Sequence, residues 1–105
     1  MSVPTATALR LMQERNQPTC EVQGCDNPAE EAHHVFVGRN KHHREFDVDE
    51  NLQLVCIDCH KFSGKACNWE NRLAFWDKQC ERFGHDWMVE WYSGLPIKCK
   101  EKAYK

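Results

Sequence analysis

Several features that would place a chain in a common protein class are missing from this 105-residue sequence. No apolar run of the kind found in a signal peptide occurs in its first residues, MSVPTATALRLMQERN, and no stretch is long and apolar enough to span a membrane. Internal repeats and low-complexity segments are absent too. The net charge is only −2, so the chain lacks the overall positive field of many DNA-binding domains. We therefore expect one small cytoplasmic domain without membrane contact.

Cysteine, in contrast, is abundant, with seven residues. Two short-spaced pairs, Cys20-x4-Cys25 and Cys56-x2-Cys59, supply the four thiolates that a tetrahedral structural zinc ion needs. Disulfides between these pairs are the alternative, but an odd number of cysteines in a reducing compartment favours metal ligands. A structural Zn²⁺ would also supplement the small core of such a short chain. Three thiols keep no predicted role: Cys67, Cys80 and Cys99.

Hydrophobic patterning predicts a first helix and two strands. Residues 5–16 favour a short helix with Leu9, Leu11 and Met12 on its apolar side, ended by Pro18. The segment from Ala29 to Val37 alternates as a strand, and the apolar residues 52–57 predict a second short strand or an extended turn. Alternation places His33 and His34 on opposite faces of the strand. Two groups that serve one site are therefore expected at the end of that strand.

The C-terminal part of the sequence predicts two helices. The longer runs from about Asn68 to Phe83, and Gly84 is the expected stop. Its apolar residues recur at intervals of four and three: Trp69, Leu73, Trp76, Cys80 and Phe83. Residues 85–92, HDWMVEWY, predict a second short helix that folds back. The aromatic residues are interpreted as core rather than as a base-stacking surface, because they share one stripe.

Histidines and an asparagine are interleaved with the two cysteine pairs. His33 and His34 lie between the pairs, Asn51 opens the segment NLQLVCIDCH, and His60 directly follows Cys59. In this order the residues resemble the HNH nucleases, also called ββα-metal nucleases, many of which weave two zinc knuckles through the motif. The nine residues from Asn51 to His60 agree with the usual interval of that family. The resemblance covers about residues 20 to 65, and the interleaved order makes it specific.

The resemblance implies an α+β fold, a small zinc-stapled ββα-metal (His-Me finger) domain with flanking helices. Four segments follow from it along the chain. They are an N-terminal helical segment (1–19), an HNH zinc-knuckle core (20–66), a C-terminal helical extension (67–95) and a basic tail (96–105) whose order stays open.

The resemblance also implies a metal-dependent endonuclease that hydrolyses phosphodiester bonds in DNA. His34 would be the general base, His33 and His60 would bind one divalent cation, and Asn51 would tie the loop backbone that orients the base. Mg²⁺, Mn²⁺, Ni²⁺ and Zn²⁺ all stay open, although two imidazoles suit Mg²⁺ least. Relatives often carry another ligand four residues after the last histidine, where this chain has Gly64.

Basic residues near the histidines are candidates for DNA contact. Arg39, Lys41 and Arg44 follow the double histidine where relatives contact the DNA backbone, and Lys61 follows His60. Such contacts position a duplex but carry no sequence information. Stand-alone domains of this kind resemble those of phages and mobile elements, which implies the cytoplasm of a bacterial or phage-infected cell. The oligomeric state stays open, with a monomer as one candidate.

Two other functions stay open at this level. The near-neutral charge and Gly64 also fit a non-catalytic zinc module that binds nucleic acid or a protein partner. A small oxidoreductase or thiol switch using Cys56 and Cys59 ranks third, because a redox CxxC normally occurs in a thioredoxin-like βαβ setting that the sequence lacks.

Overall fold

Two four-residue segments, EAHH and the mostly apolar LQLV, form the only sheet of the described residues. The computed structural model describes residues 5–36 and 48–95. Strand β1 (Glu31–His34) pairs antiparallel with β2 (Leu52–Val55), with Glu31 opposite Val55 and His34 opposite Leu52. Opposed residues of an antiparallel pair share a face. One face therefore carries Ala32, His34, Leu52 and Leu54, and the other carries Glu31, His33, Gln53 and Val55.

The described residues also form three α-helices: α1 (Thr5–Arg15), α2 (Trp69–Phe83) and α3 (His85–Ser93). Short helical turns complete the described chain at Asp49–Asn51, Asp58–Phe62 and Lys65–Cys67. The α+β class is thus confirmed as a small mixed fold with a two-stranded sheet. The predicted strand end at Val37, the predicted loop from Gly38 to Asp47 and the tail lie outside the described residues.

Helix α1 packs on the first face of the sheet through Ala8 and Leu11, which are buried, and Met12, which is partly buried. Residues three and four apart lie on one side of a helix, so these three positions form the apolar stripe. The prediction that Leu9 belongs to this stripe is wrong. Its side chain is 53% exposed, because position 9 lies a quarter-turn away from Ala8.

Helix α2 begins where predicted, with Asn68 as its N-cap accepting a hydrogen bond from the Asn71 amide at 2.8 Å. Its predicted stripe is only partly right, since Trp69 and Leu73 are 45% and 42% exposed. The buried face instead includes Asn71 and Gln79. Asn71 exchanges two hydrogen bonds with Gln53 of β2, at 2.8 and 3.0 Å, so both amides are buried without an unpaired group.

A second hydrophobic cluster joins α2 and α3 to the chain that follows β1. Its buried members are Val35, Phe36, Phe75, Trp76, Met88 and Tyr92. Phe36 stacks on Phe75 with ring centroids 5.6 Å apart and meets Trp76 edge-on at 5.4 Å. The prediction that the aromatics of the two C-terminal helices form core is right for Trp76, and Trp91 packs partly buried against the same cluster. It is wrong for Trp87, whose side chain is 56% exposed. The cluster fixes the backbone directly after the double histidine.

A third cluster surrounds the cysteine pairs and includes Val22, Val55 and Ala66. The loop that carries Cys20 is attached to β2 by Glu21, whose backbone amide donates to the Leu54 carbonyl at 2.7 Å. Glu21 also accepts hydrogen bonds from the Leu54 amide and from Arg15, so one carboxylate joins α1, this loop and the sheet. The core of the described residues thus consists of three clusters, and the third contains the four cysteines and their apolar neighbours.

Candidate functional site

The four cysteines of the two predicted pairs converge on one point. The sulfur atoms of Cys20, Cys25, Cys56 and Cys59 all lie within 4.8 Å of one another. Four sulfurs around a zinc ion, at Zn–S distances of about 2.3 Å, would lie about 3.8 Å apart. The Cys25 and Cys56 sulfurs are 3.8 Å apart, so the set has the donors and the spacing for a tetrahedral ion. The sequence prediction of a four-cysteine metal site, compatible with zinc, is confirmed at that level.

Local backbone geometry explains why these sulfurs meet. The first pair flanks a turn in which the Cys25 amide donates to the Val22 carbonyl at 3.0 Å, and Gly24 takes the left-handed φ of +84° that the turn requires. In the second pair, the Cys59 amide donates to the Cys56 sulfur at 3.4 Å. Asn27 donates to the same sulfur at 3.6 Å. Each turn therefore directs its two sulfurs towards the same interior point.

The electrostatics of the cluster favour a bound cation. Burial raises the pKa values of the Cys20 and Cys59 thiols. Burial acts in the same direction at Cys56, but hydrogen bonds from the Cys59 amide, from Asn27 and from neighbouring thiols outweigh it and lower the pKa of Cys56 to about 7. Four thiolates cannot be kept charged in so small a buried volume without a compensating charge, and a divalent ion supplies it.

The disulfide alternative does not fit this arrangement. All six cysteines of the described residues are free thiols. Cys56 and Cys59 also share their sulfur cluster with the first pair, which is typical of a metal site rather than of an isolated redox CxxC. Among the thiols without a predicted role, Cys67 is exposed and Cys80 packs partly buried against the aromatic cluster. Cys99 lies outside the described residues.

The predicted catalytic histidines lie at the sheet. His33 is half-buried on the face that points towards the chain following β2, and its ring centroid is 4.7 Å from that of His60. His60 directly follows Cys59 in the five-residue π-helical turn Asp58–Phe62 and does not belong to a long helix. The structure thus brings together the two imidazoles for which a shared cation was expected.

His34 is the last residue of β1, and it lies on the opposite face from His33. Its side chain belongs to the face that packs towards α1, and the residue is only 8% exposed. The alternation of a strand accounts for this separation. The base expected from the motif is therefore set apart from the two paired imidazoles by the sheet itself.

Asn51 is completely buried, and it holds the backbone that follows the double histidine. Its side-chain oxygen accepts a hydrogen bond from the Phe36 amide at 2.9 Å, and its carbonyl accepts one from the Val35 amide at 3.0 Å. Both contacts fall within two residues of His34. An alanine here would leave a buried amide without its partner.

A carboxylate that the sequence reasoning missed completes the histidine cluster. Glu31 lies two residues before His33, on the same face of β1, and its Oε1 is 3.0 Å from His60 Nδ1. Its Oε2 is 3.2 Å from Lys61 Nζ. The alternation of β1 was the available signal, since it places Glu31 beside His33. We call Glu31, His33 and His60 the histidine cluster.

The charge states within the histidine cluster follow from burial and neighbours. Burial lowers the pKa of His33 to about 4, and the nearby positive charges of His60, His34 and Arg72 act in the same direction. The hydrogen bond with His60 lowers the pKa of Glu31, which burial opposes and Lys61 reinforces. At neutral pH, His33 is therefore a neutral imidazole and Glu31 a carboxylate, the forms in which both bind metal ions.

A cation site at the histidine cluster is less complete than the cysteine site. Imidazoles and carboxylates are suitable ligands for a divalent transition metal. In residues 5–36 and 48–95, however, the four cysteines are the only group of three or more such donors gathered closely enough to hold an ion. A cation beside His33 and His60 would therefore have fewer than three of these ligands and would keep open positions.

Of the basic residues predicted to contact DNA, only Lys61 is described. Its side chain is 54% exposed while its ammonium group pairs with Glu31. Arg39, Lys41 and Arg44 lie outside the described residues.

Comparisons with protein-family models, curated proteins and solved structures find no match to this chain. None of the described helices is long and apolar enough to cross a membrane. Any assignment of function therefore depends on the chemistry of the residues themselves.

Proposed function

We propose that this protein is a metal-dependent endonuclease of the HNH type that hydrolyses phosphodiester bonds in DNA. The observation that carries the proposal is the pairing of His33 with His60, at 4.7 Å between ring centroids, beside a four-cysteine cluster. Sequence order adds support, because the cysteine pairs, the double histidine, Asn51 and His60 follow one another as in that family. The ββα-metal assignment is part of the same proposal.

In this proposal His33 and His60 hold one divalent cation. That cation would neutralise charge on the phosphate and stabilise the leaving oxygen when bound. Both imidazoles are partly exposed, so solvent has access to the rings. A neutral His33 is supported by its burial, since a protonated ring could not bind a metal ion.

The base of the reaction takes a proton from water as the water oxygen bonds to phosphorus and the bond from phosphorus to the 3′-oxygen breaks. By the family motif we assign this role to His34, whose side chain lies on the opposite face of β1 from that of His33. The assignment therefore depends on the motif and not on a contact with the paired imidazoles. Asn51 supports the assignment, since it fixes the backbone of Val35 and Phe36 directly after His34. General-base catalysis of this kind contributes about 10²–10⁴-fold to a rate.

DNA is the proposed substrate, and the predicted basic loop would contact its backbone. A single active site of this size would nick one strand. Lys61 pairs with Glu31 of the histidine cluster, and its half-exposed side chain could also contact a phosphate.

The proposal is tested by cleavage of supercoiled plasmid, with Mg²⁺, Mn²⁺, Ni²⁺ or Zn²⁺ added separately. We expect cation-dependent nicking by the wild type and a loss of about 10²–10⁴-fold in His34→Ala, with zinc content unchanged. His33→Ala is the matched comparison from the other face of β1. Loss in His33→Ala with full activity in His34→Ala would contradict the base assignment while keeping the nuclease. No cleavage with any of the four ions, from folded zinc-loaded protein, would contradict the nuclease and favour a non-catalytic zinc module.

A further inference from the structure

Glu31 belongs neither to the cysteine cluster nor to the hydrophobic clusters, yet both oxygens of its carboxylate contact charged or polar side chains. Its side chain is only 15% exposed, and that of His60 is 16% exposed. Oε1 lies 3.0 Å from His60 Nδ1, while Oε2 lies 3.2 Å from Lys61 Nζ. Each oxygen therefore has one partner, and both partners come from the same π-helical turn.

The chemistry of this contact fixes the proton of His60. A carboxylate only accepts hydrogen bonds, so the hydrogen must be on Nδ1. The other ring nitrogen, Nε2, then carries the lone pair with which an imidazole binds a metal ion. Histidine ligands in metal sites commonly donate their second N–H to a carboxylate, which sets both the tautomer and the orientation of the ring.

Lys61 determines which role Glu31 takes. With its second oxygen beside an ammonium group, Glu31 is directed towards Asp58–Phe62, the turn that carries His60. This arrangement suits a carboxylate that holds the turn against β1 better than one that binds the cation itself. Glu31 thus links strand β1 to the turn Asp58–Phe62, which also carries Cys59 of the cysteine cluster.

We propose that Glu31 is a positioning residue, which holds His60 in the Nδ1–H tautomer with Nε2 available for the divalent cation. This inference rests on the proposed function, in which His60 binds that cation. It extends the site beyond the double histidine, Asn51 and His60, and it gives Glu31 a role that the sequence motif does not contain.

The tautomer is measured directly in the zinc-loaded protein by two-bond ¹H–¹⁵N correlation spectra of the imidazole rings, with His60→Ala to assign the signals. We expect Nδ1–H at His60 in the wild type. In Glu31→Ala the population should move towards the Nε2–H form that free histidine favours. Glu30→Ala is the matched control, since it removes an exposed carboxylate from the adjacent position. An Nε2–H tautomer in the wild type would overturn the inference.

Binding of Mn²⁺ gives the second readout, followed through the electron paramagnetic resonance signal of the free ion. We expect Glu31→Ala to weaken Mn²⁺ binding by about 10–100-fold, the usual effect of losing such a partner. Zinc content and melting temperature should stay close to wild type. Glu31→Gln, which keeps a hydrogen-bond acceptor, should retain the tautomer and lose less affinity.

The outcomes separate this inference from the proposed function. Cleavage by the wild type, with tautomer and Mn²⁺ affinity unchanged in Glu31→Ala, would overturn the role of Glu31 and keep the nuclease. Glu31-dependent tautomer and Mn²⁺ binding in a protein that cleaves no DNA would overturn the nuclease and keep the role of Glu31.

Discussion

The cysteine cluster and the histidine cluster are neighbours in the chain, yet they are built differently. Three of the four cysteines are buried, and their sulfurs lie within 4.8 Å of one another. Glu31, His33 and His60 are partly exposed. Local turns place the two sulfurs of each pair, and a backbone contact of the Cys20 loop with β2 joins the pairs. The pairing of β1 with β2 positions His33 beside the turn that carries His60. Four enclosed sulfurs suit a structural ion, whereas partly exposed donors suit a site with open positions.

The histidine cluster should depend on the cysteine cluster more than the cysteine cluster depends on it. His60 directly follows Cys59, and its backbone amide donates to the Cys56 carbonyl at 3.1 Å. The turn that presents His60 is therefore held by the cysteine cluster. Loss of the metal at the cysteines should disorganise the histidines, while loss of a histidine should leave the cysteines intact.

The largest effect is expected from Cys59→Ala. The variant should lose bound zinc and cooperative unfolding, because a structural zinc ion contributes on the order of 10 kcal/mol to a small domain. Circular dichroism melting and zinc analysis measure both. Cys67→Ala is the control, since Cys67 is exposed and does not belong to the cysteine cluster. A cooperative, wild-type-like melt in zinc-free Cys59→Ala would contradict the structural role of the metal.

A smaller loss of stability is expected from Glu21→Ala. The side chains of Glu21 and Arg15 are 6% and 5% exposed, and Arg82 is a second partner of the same carboxylate. Removing Glu21 leaves a buried guanidinium without its counter-ion, which should lower the free energy of unfolding by about 3–5 kcal/mol.

Urea unfolding of zinc-loaded protein measures this loss. Glu14→Ala is the matched control, because Glu14 pairs with Arg10 at the surface and should cost about 0–1 kcal/mol. Equal effects of the two variants would show that Glu21 does not link α1 to the cysteine loop energetically.

His60→Ala should affect activity rather than stability. Loss of one hydrogen bond changes the free energy of unfolding by about 1 kcal/mol or less. Cleavage should fall at least about 100-fold, since metal-ion stabilisation of a transition state amounts to several kcal/mol. Plasmid nicking and thermal melting are measured side by side. His85→Ala, at an exposed position of α3, is the control. A His60→Ala variant that unfolds would contradict the expectation that loss of a histidine leaves the cysteine cluster intact.

The cysteine site could be predicted from the sequence because its information is local. Short spacing within each pair forces two turns, and Gly24 allows one of them. The start of α2 was predictable for the same reason, since Asn68 caps it from an adjacent position. Long-range partners explain the errors. Asn71 is buried on α2 only because Gln53 of β2 satisfies its amide, which no periodicity indicates.

The histidine cluster was predicted only in part. The order of the motif indicated that His33 and His60 belong together, and their rings do lie side by side. Glu31 was missed because its partner is distant in sequence and lies in a π-helical turn. Strand alternation alone could have placed Glu31 beside His33, but it could not have supplied the contact with His60.

The proposed function requires two metal ions per chain, a zinc ion at the four cysteines and a second cation at His33 and His60. Equilibrium dialysis of the wild type and of His60→Ala against Mn²⁺, with elemental analysis of protein and buffer, distinguishes the two sites. We expect one zinc and one manganese per wild-type chain, and one zinc without manganese in His60→Ala. Manganese retained by His60→Ala, or a folded wild type without zinc, would contradict this expectation.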